Sequence, residues 1–398
     1  MTGLLLAALL APAAGAAAPQ AEDRRLLASA TRLYHSLDLS GALAKYDEAI
    51  ERVPGWKTAA GLRAAARWTL GDGPGAAEDA RVAAKLSPND ALSYAARGKA
   101  RLVLREYDGA ASDFRACAEA DRRSVECPLG LGSVLSARGQ VRPALEPLDE
   151  AVRLDPGSAA ALLVRGSVKD RLKDFRGAAA DYGAVLEINP RFAWAYLYRG
   201  KALRETKDYR GAEADLSAFI ESNPEHEDAH YLRSNLRYML GDYRGCAADL
   251  TKVIALNPRK GAAYANRGQA RALAGDKAGA LSDLRKAMEL DPARREKIGA
   301  AIERLEAEGA AAEEDAPEER PRRRAAPVEE DGPATVTIEG EGDYRAPKRR
   351  APVADLDEEV APQPKPDDAR SARPAARARR EPPVERHTGA EEALFIDR

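Results

Sequence analysis

Residues 226–230, with the sequence HEDAH, match the motif H-E-x-x-H. On a helix this spacing places two histidines on one face, where they can bind zinc beside a glutamate that acts as a general base. The surrounding sequence argues against such a site, because His226 lies in a turn only two residues after Pro224. Neither of the remaining histidines, His35 and His387, is evident as a third ligand. A zinc-dependent hydrolase is therefore the most distant interpretation, and we predict no enzyme activity, catalytic residue, metal or cofactor.

Thiol chemistry is limited to Cys117, Cys127 and Cys246. An odd number of cysteines leaves at least one free thiol in an exported protein. Cys117 and Cys127 are close enough in sequence for a disulfide between the end of one helix and the start of the next. We expect instead that the cysteines serve as small buried apolar residues.

These residues lie within a repeating pattern that extends from about residue 23 to residue 294. Proline returns every 34 residues or every twice 34 residues, and Arg122 stands at the one position without it. The prolines are Pro54, Pro88, Pro156, Pro190, Pro224, Pro258 and Pro292. Since proline cannot continue a helix, each one marks the end of a repeated unit. The pattern predicts eight units of 34 residues, each a helix, a turn and a second helix.

Small residues form two further columns when the proline is taken as position 32 of each unit. Position 8 is glycine in five units: Gly98, Gly132, Gly166, Gly200 and Gly268. Position 20 is alanine in seven units and Cys246 in the other. Two antiparallel helices approach closely only where neither carries a bulky side chain, so these columns indicate the point where the paired helices cross.

This combination of a strict 34-residue period, small residues at positions 8 and 20 and proline at position 32 resembles the tetratricopeptide repeat. The resemblance covers about two-thirds of the chain, with Ala30, Ala64 and Ser234 in place of the glycine in three units. It implies an all-α fold, a right-handed α-solenoid whose concave groove is lined by the first helix of each unit. Each unit then leaves an apolar face that only its neighbour can cover.

Two charged columns run through the same units. Position 7 is arginine in six units, position 23 is aspartate in those six units, and the other two units lack both. Positions whose numbers sum to about 31 face each other in antiparallel helices, which predicts ion pairs within each unit; a ligand-binding row of arginines is the alternative. The expected pairs are Arg63–Asp79, Arg97–Asp113, Arg165–Asp181, Arg199–Asp215, Arg233–Asp249 and Arg267–Asp283.

The two ends of the chain differ from the repeats. Residues 1–18 are apolar and end in small residues that fit a cleavage site, which is typical of a secretory signal peptide. Residues 293–309 have the charged periodicity of a C-terminal capping helix. Residues 310–398 are rich in Pro, Ala and charged residues, which predicts a disordered tail. The apolar islands ATVTIEG and EALFIDR within it are candidates for short binding motifs.

Candidate binding residues lie at positions 2, 5, 9 and 12 of the first helices, which the resemblance maps to the groove. Most units have Ala, Leu or Ser there, whereas units six to eight offer aromatic, cationic and amide side chains. Such side chains are typical of peptide-binding hot spots, although some of them could instead pack between units. The candidate groove residues are Trp194, Lys201, Arg204, Tyr231, Asn235, Tyr238 and Gln269.

The composition limits the kinds of partner. The formal net charge is −2 and 32% of residues are charged, which argues against a nucleic-acid partner held by bulk electrostatics. We predict an exported, non-enzymatic scaffold, without a transmembrane segment in the mature chain, that binds a peptide or helix of a partner protein. The alternative is a structural assembly factor of the bacterial envelope that acts through self-association, its outer surface or its tail. The bacterial periplasm or cell envelope is the expected location.

Overall fold

The computed structural model describes residues 18–314. The predicted signal peptide and all of the predicted tail beyond residue 314 lie outside this range. Within it the chain is helical and contains no strand. None of its helices combines the length and the apolar character that a bilayer crossing requires.

Sixteen helices in the described range form eight antiparallel pairs, in which the first helix occupies positions 1–13 and the second positions 17–30 of most units. They are α1 (Ala21–His35), α2 (Leu39–Arg52), α3 (Lys57–Thr69), α4 (Gly73–Ala83), α5 (Ala91–Val103), α6 (Tyr107–Ala120), α7 (Glu126–Ala137), α8 (Leu145–Leu154), α9 (Ala159–Arg171), α10 (Phe175–Ile188), α11 (Ala193–Glu205), α12 (Tyr209–Ser222), α13 (Glu227–Met239), α14 (Tyr243–Leu256), α15 (Gly261–Leu273) and α16 (Lys277–Leu290). Each pair packs against the next, as expected for an all-α helical repeat solenoid.

A further helix follows the last pair. After a 3-10 turn at Pro292–Arg294, α17 spans Arg295–Glu314 and packs against α16. Ile298 and Ile302 on α17 are buried in one cluster with Leu284. The helix therefore covers the apolar face of the eighth unit, and it continues through residues 310–314, which the sequence assigned to the tail.

The turn inside each unit explains why the sequence D-x-x-G recurs. In six units an aspartate at position 16 accepts a hydrogen bond from the backbone N–H of a glycine three residues later, as Asp208 does from Gly211 at 3.0 Å. This contact caps the N-terminus of the second helix. A Cβ on Gly211 would lie 2.6 Å from the capping carboxylate, so only glycine permits the close approach. Position 15 ends the first helix in the left-handed conformation in all eight units.

The position-8 glycines lie at the helix crossing. A Cβ on Gly98 would approach Phe114 to 2.9 Å, and one on Gly166 would approach Tyr182 to 2.8 Å. Phe114 and Tyr182 occupy position 24 on the second helix of the same unit and are buried. The small residue on the first helix therefore makes room for a large one on the second.

The arginines at position 7 lie beside the aspartates at position 23 of their own units. In unit five, Arg165 donates two hydrogen bonds to Asp181, at 2.7 and 2.9 Å. The same contact is present in the other five units: Arg63–Asp79, Arg97–Asp113, Arg199–Asp215, Arg233–Asp249 and Arg267–Asp283. The aspartates are buried, so these are not surface ion pairs. The hydrogen bond to Asp181 raises the pKa of Arg165 above its ordinary value.

Two additional contacts enlarge this pattern. A second cation at position 11 reaches the same carboxylate in five units, as Lys169 does with Asp181 at 2.9 Å. In four units the position-7 arginine also contacts position 25 of the preceding unit, as Arg165 does with Asp149 at 3.0 Å. Each arginine therefore joins two helices within its unit and, in these four units, also joins neighbouring units.

The expectation for the cysteines was wrong for two of them. Cys117 on α6 and Cys127 on α7 form a disulfide across the junction of units three and four, with their Cα atoms 5.4 Å apart. Sequence spacing alone could not fix this distance, because it depends on how the two helices are packed. Cys246 is buried and free, and burial raises the pKa of its thiol to about 11.

Candidate functional site: a cavity in the groove

The first unit lies across the groove of the units that follow it. Leu37, in the turn between α1 and α2, and Leu39, the first residue of α2, share a buried cluster with Leu129 of α7 and Leu163 of α9. The side-chain amide of Asn189 donates a hydrogen bond to the carbonyl of Ser36 at 3.1 Å. The α1–α2 turn therefore packs against units four and five, far from it in sequence, in addition to the neighbouring unit.

A buried polar cluster accompanies this contact. Nε2 of His35 lies 2.9 Å from Oε1 of Glu126, and Nδ1 lies 2.8 Å from the hydroxyl of Ser158. The ammonium of Lys99 is 2.6 Å from the other oxygen of Glu126 and 4.3 Å from the centre of the Tyr34 ring. Side chains from units one and three thus meet around one carboxylate of unit four.

The charges of this cluster depend on one another. Burial alone would raise the pKa of Glu126, but the proximity of Lys99 and His35 holds it well below its ordinary range. Burial also acts to lower the pKa of Lys99, and the carboxylate of Glu126 overcomes that effect and raises it. Glu126 and Lys99 therefore remain an ion pair although they are only 5% and 6% exposed.

A cavity of about 320 Å³ lies beside this cluster, between the α1–α2 turn and the first helices of units two to six. Its volume is near the lower end of the range for ligand pockets, about 300–1,000 Å³. Most of the lining is aromatic or aliphatic: Tyr34, Leu37, Trp68, Leu102, Val103, Tyr107, Phe114, Leu129, Leu163, Val164, Tyr182 and Tyr198. Such a cavity suits one or two apolar side chains of a bound segment.

The charged side chains that line the cavity are mostly cationic. They are Lys99, Arg105, Arg171 and Lys201, together with the acid Asp170. Arg171 is held in place because it donates hydrogen bonds to the backbone carbonyl and the hydroxyl of Ser136, at 3.0 and 2.9 Å. Burial raises the pKa of Asp170 above its ordinary value, despite the opposing effect of nearby cations that include Lys201. The lining therefore favours a ligand that is apolar and carries negative charge at its edge.

Of the seven side chains predicted to line the groove, Lys201 lines this cavity. Trp194 packs within unit six instead, because its ring centre lies 5.2 Å from that of Phe219 and 5.9 Å from that of His226. The hydroxyl of Tyr231 accepts a hydrogen bond from Asn266 at 3.0 Å, and Lys260 lies 4.4 Å from its ring centre.

The other four lie farther along the first helices of units six to eight. Arg204 forms an ion pair with its neighbour Glu205 at 2.7 Å. Tyr238 is 37% exposed and contacts the ring of Tyr243 edge-on at 5.5 Å. Asn235 is half-buried and Gln269 is exposed. These residues belong to the same helix columns as the cavity but do not enclose a pocket with it.

The histidines of the HEDAH motif have structural contacts. Nδ1 of His226 accepts a hydrogen bond from the backbone N–H of Ala229 at 3.1 Å and so caps α13. Nδ1 of His230 lies 3.1 Å from Asp249, and Nε2 lies 3.1 Å from the carbonyl of Pro224. Among the described residues, no group of three or more His, Cys, Asp or Glu side chains is arranged to hold a metal ion.

Sequence reasoning missed most of the cavity. About half of the lining residues occupy positions 5, 9 and 12, in units where those columns are mostly Ala, Leu and Ser. The available signal was a charged residue at two of the groove positions, because Lys99 stands at position 9 and Glu126 at position 2. No local pattern indicated that the first unit would fold across the groove and enclose it.

Comparison with known families agrees with this architecture. A family model described as Tetratricopeptide repeat matches residues 129–191, 199–245 and 231–295. No curated protein sequence matches the chain significantly.

Several solved structures are similar in fold. A chain of the APC/C hetero-tetramer Cut9–Hcn1 is 14% identical with a TM-score of 0.51, and the match covers 70% of this chain and 55% of that one. A tetratricopeptide repeat protein from Parabacteroides merdae is 17% identical with a TM-score of 0.36, and the match covers 72% of this chain and 99% of that one. YrrB, described as a TPR protein with an unusual peptide-binding site, is 20% identical with a TM-score of 0.44, and the match covers 46% of this chain and 94% of that one. At these identities the similarity concerns the fold.

Proposed function

The chain is a tetratricopeptide repeat protein, and we propose that it is a non-enzymatic scaffold that holds a segment of another protein in its groove. A helical repeat fold of this kind supports protein interaction in general. The observation that supports the groove is the cavity of about 320 Å³, which is lined mostly by aromatic and aliphatic side chains together with four cationic ones. A partner segment that fits it presents one or two apolar side chains beside acidic ones.

The cavity offers binding energy that the rest of the groove lacks. Interface hot spots are well-packed pockets from which water is excluded, and apolar area buried there contributes about 25 cal/mol per Å². Acidic residues beside the buried apolar side chains of a bound segment would meet Arg105, Arg171 and Lys201 in the cavity lining. Charge pairs at such an edge act mainly on specificity and association rate.

We further propose that the protein acts in the envelope of a bacterium. The apolar residues 1–18 support export, because their small C-terminal residues fit a cleavage site. The disulfide between Cys117 and Cys127 supports an oxidising compartment, because such bonds are rare in the cytosol. Fractionation of cells that produce the chain, with N-terminal sequencing of the product, tests this proposal. An unprocessed cytoplasmic product would contradict it.

Affinity capture from an envelope extract tests the groove. The full chain is compared with Ser167→Trp, which places an indole in the cavity that Ser167 lines. The matched control is Arg210→Glu, on the exposed side of α12. We expect a partner that is retained by the parent and by Arg210→Glu and is lost from Ser167→Trp, provided that circular dichroism shows all three folded.

A second groove variant locates the contact more closely. It combines Arg204→Ala, Tyr231→Ala and Tyr238→Ala in units six and seven. Loss of the partner from this variant alone would move the site to the C-terminal half of the groove. Capture that is unchanged in both groove variants would contradict the proposal and favour the outer surface, the tail or self-association.

A further inference from the structure

The side chains that line the cavity indicate what kind of segment would fit it, and segments of this chain can be compared with that description. The cavity lining includes the apolar side chains of Leu102, Leu129 and Leu163 and the cationic side chains of Arg171 and Lys201. A complementary segment therefore has consecutive large apolar residues with acidic residues on both sides. Such a segment need not come from a partner protein.

Residues 391–398, with the sequence EEALFIDR, meet these requirements. Leu394, Phe395 and Ile396 are consecutive, with two glutamates before them and Asp397 after them. Phe395 is the only phenylalanine beyond Phe219. The other apolar island of the C-terminal region, residues 334–340, offers small and β-branched residues and a single acid, so it matches the cavity less well.

The connection between the helices and this segment is long enough. Residues 315–390 follow the end of α17 at Glu314. An extended residue spans up to about 3.3–3.6 Å, so the connection can reach any point of the helical surface. A segment tethered to its site binds in an intramolecular step, at an effective concentration set by the length of the connection.

We propose that residues 391–398 bind in the cavity of their own chain and compete there with the partner segment. This inference rests on the proposed function, because it concerns the same cavity. It adds a regulatory consequence: a partner must displace the segment, so the measured affinity for a partner is weaker than the intrinsic one.

Fluorescence anisotropy tests the proposal, with a labelled synthetic peptide of residues 388–398 as the probe. The peptide is titrated with the full chain, with the full-length Phe395→Ser variant and with Ile338→Ser as the matched apolar-to-serine control. We expect Phe395→Ser to bind the peptide at least about fivefold more tightly than the parent, since its own segment no longer competes. Ile338→Ser is expected to behave like the parent, and a peptide with serine in place of phenylalanine is expected not to bind.

Adding Ser167→Trp to Phe395→Ser identifies the site, and we expect this double variant to lose the peptide. Equal affinity for the parent and Phe395→Ser, or no binding to either, overturns the proposal. Peptide binding that survives Ser167→Trp overturns it as well, because the segment then binds elsewhere. A dimeric parent that becomes monomeric in Phe395→Ser, measured by light scattering, overturns the intramolecular form and identifies a second copy as the acceptor.

The two proposals can fail separately. If the peptide does not bind but partner capture is lost in Ser167→Trp, the tethered-segment proposal fails and the scaffold proposal stands. If the peptide binds in the cavity but partner capture is insensitive to Ser167→Trp, the scaffold proposal fails and the cavity serves the chain's own segment.

Discussion

Asp215 shows what the buried aspartates contribute at the scale of single residues. Its carboxylate is buried and accepts two hydrogen bonds from Arg199, at 2.7 and 2.8 Å. Position 11 of this unit is Leu203, whereas Lys169 stands at the corresponding position in unit five and contacts Asp181. When the position-7 arginine is removed, the aspartate in unit five still has a cation at position 11 beside it, whereas position 11 of unit six supplies none.

We predict that Arg199→Met lowers the free energy of unfolding by about 3–5 kcal/mol, because it leaves a buried carboxylate without its guanidinium. The matched variant Arg165→Met is expected to cost less, because Lys169 still contacts Asp181 and a hydrogen bond to a charged group is worth about 1.5–3 kcal/mol. Urea unfolding followed by circular dichroism measures both. Equal losses would show that the position-11 cations contribute nothing.

At the scale of the helical element, the turn inside a unit has a positive φ at position 15 and, in six units, an aspartate at position 16 that caps the second helix. Position 15 adopts a positive φ, and in unit six it is Lys207 with φ of 67° rather than glycine. Residues with a Cβ are strained in this conformation, at a cost of about 1–2 kcal/mol. In unit seven the same position is Gly241, with φ of 80° and open space where a Cβ would lie.

Lys207→Gly is therefore predicted to raise the free energy of unfolding by about 0.5–1 kcal/mol, after the larger entropy loss of glycine is subtracted. Lys207→Ala is the control, because it removes the exposed side chain but keeps the strained conformation, and it should give no gain. Gly241→Ala should show the reverse, a loss of about 1 kcal/mol. Thermal unfolding of the three variants measures these differences, and a gain from Lys207→Ala would refute the explanation.

The helices and the points where they cross were the part of this structure that the sequence predicted best. A strict 34-residue period indicates helix boundaries because each unit repeats the same local signals, and the crossing of Gly166 with Tyr182 follows from residue size alone. The Cys117–Cys127 disulfide and the cavity were not accessible in this way. Both depend on the angles at which successive units pack, and these angles are set by many small contacts rather than by one motif.

At the scale of the whole molecule, one buried ion pair, between Lys99 of unit three and Glu126 of unit four, lies beside the contact of the first unit with units four and five. Glu126 has a lowered pKa, so its contribution to stability is present above its unfolded value of about 4.3 and is lost as the pH falls below it. Lys99 has a raised pKa, so its contribution is present below its unfolded value of about 10.4 and is lost as the pH rises above it.

We predict that Glu126→Gln costs about 3–5 kcal/mol at neutral pH, because it leaves the ammonium of Lys99 buried without a counter-charge. The double variant Glu126→Gln with Lys99→Met should recover most of this loss, since neither charge then needs a partner. Its stability should also vary less than that of the parent below about pH 4 and above about pH 10. Urea unfolding across this pH range is the measurement. A double variant no more stable than Glu126→Gln would contradict the prediction.

The position of the first unit also affects the order in which the chain can fold. In an ordinary repeat array each unit contacts only its neighbours, so folding can begin anywhere and spread. Here His35 contacts Ser158, which is 123 residues away, and the carbonyl of Ser36 meets Asn189, which is 153 residues away. Contacts between such distant residues slow folding, because a long loop must close before they form. The α1–α2 turn can therefore complete its packing only after units four and five have formed, and the start of the chain is among the last parts of the array to become fully native.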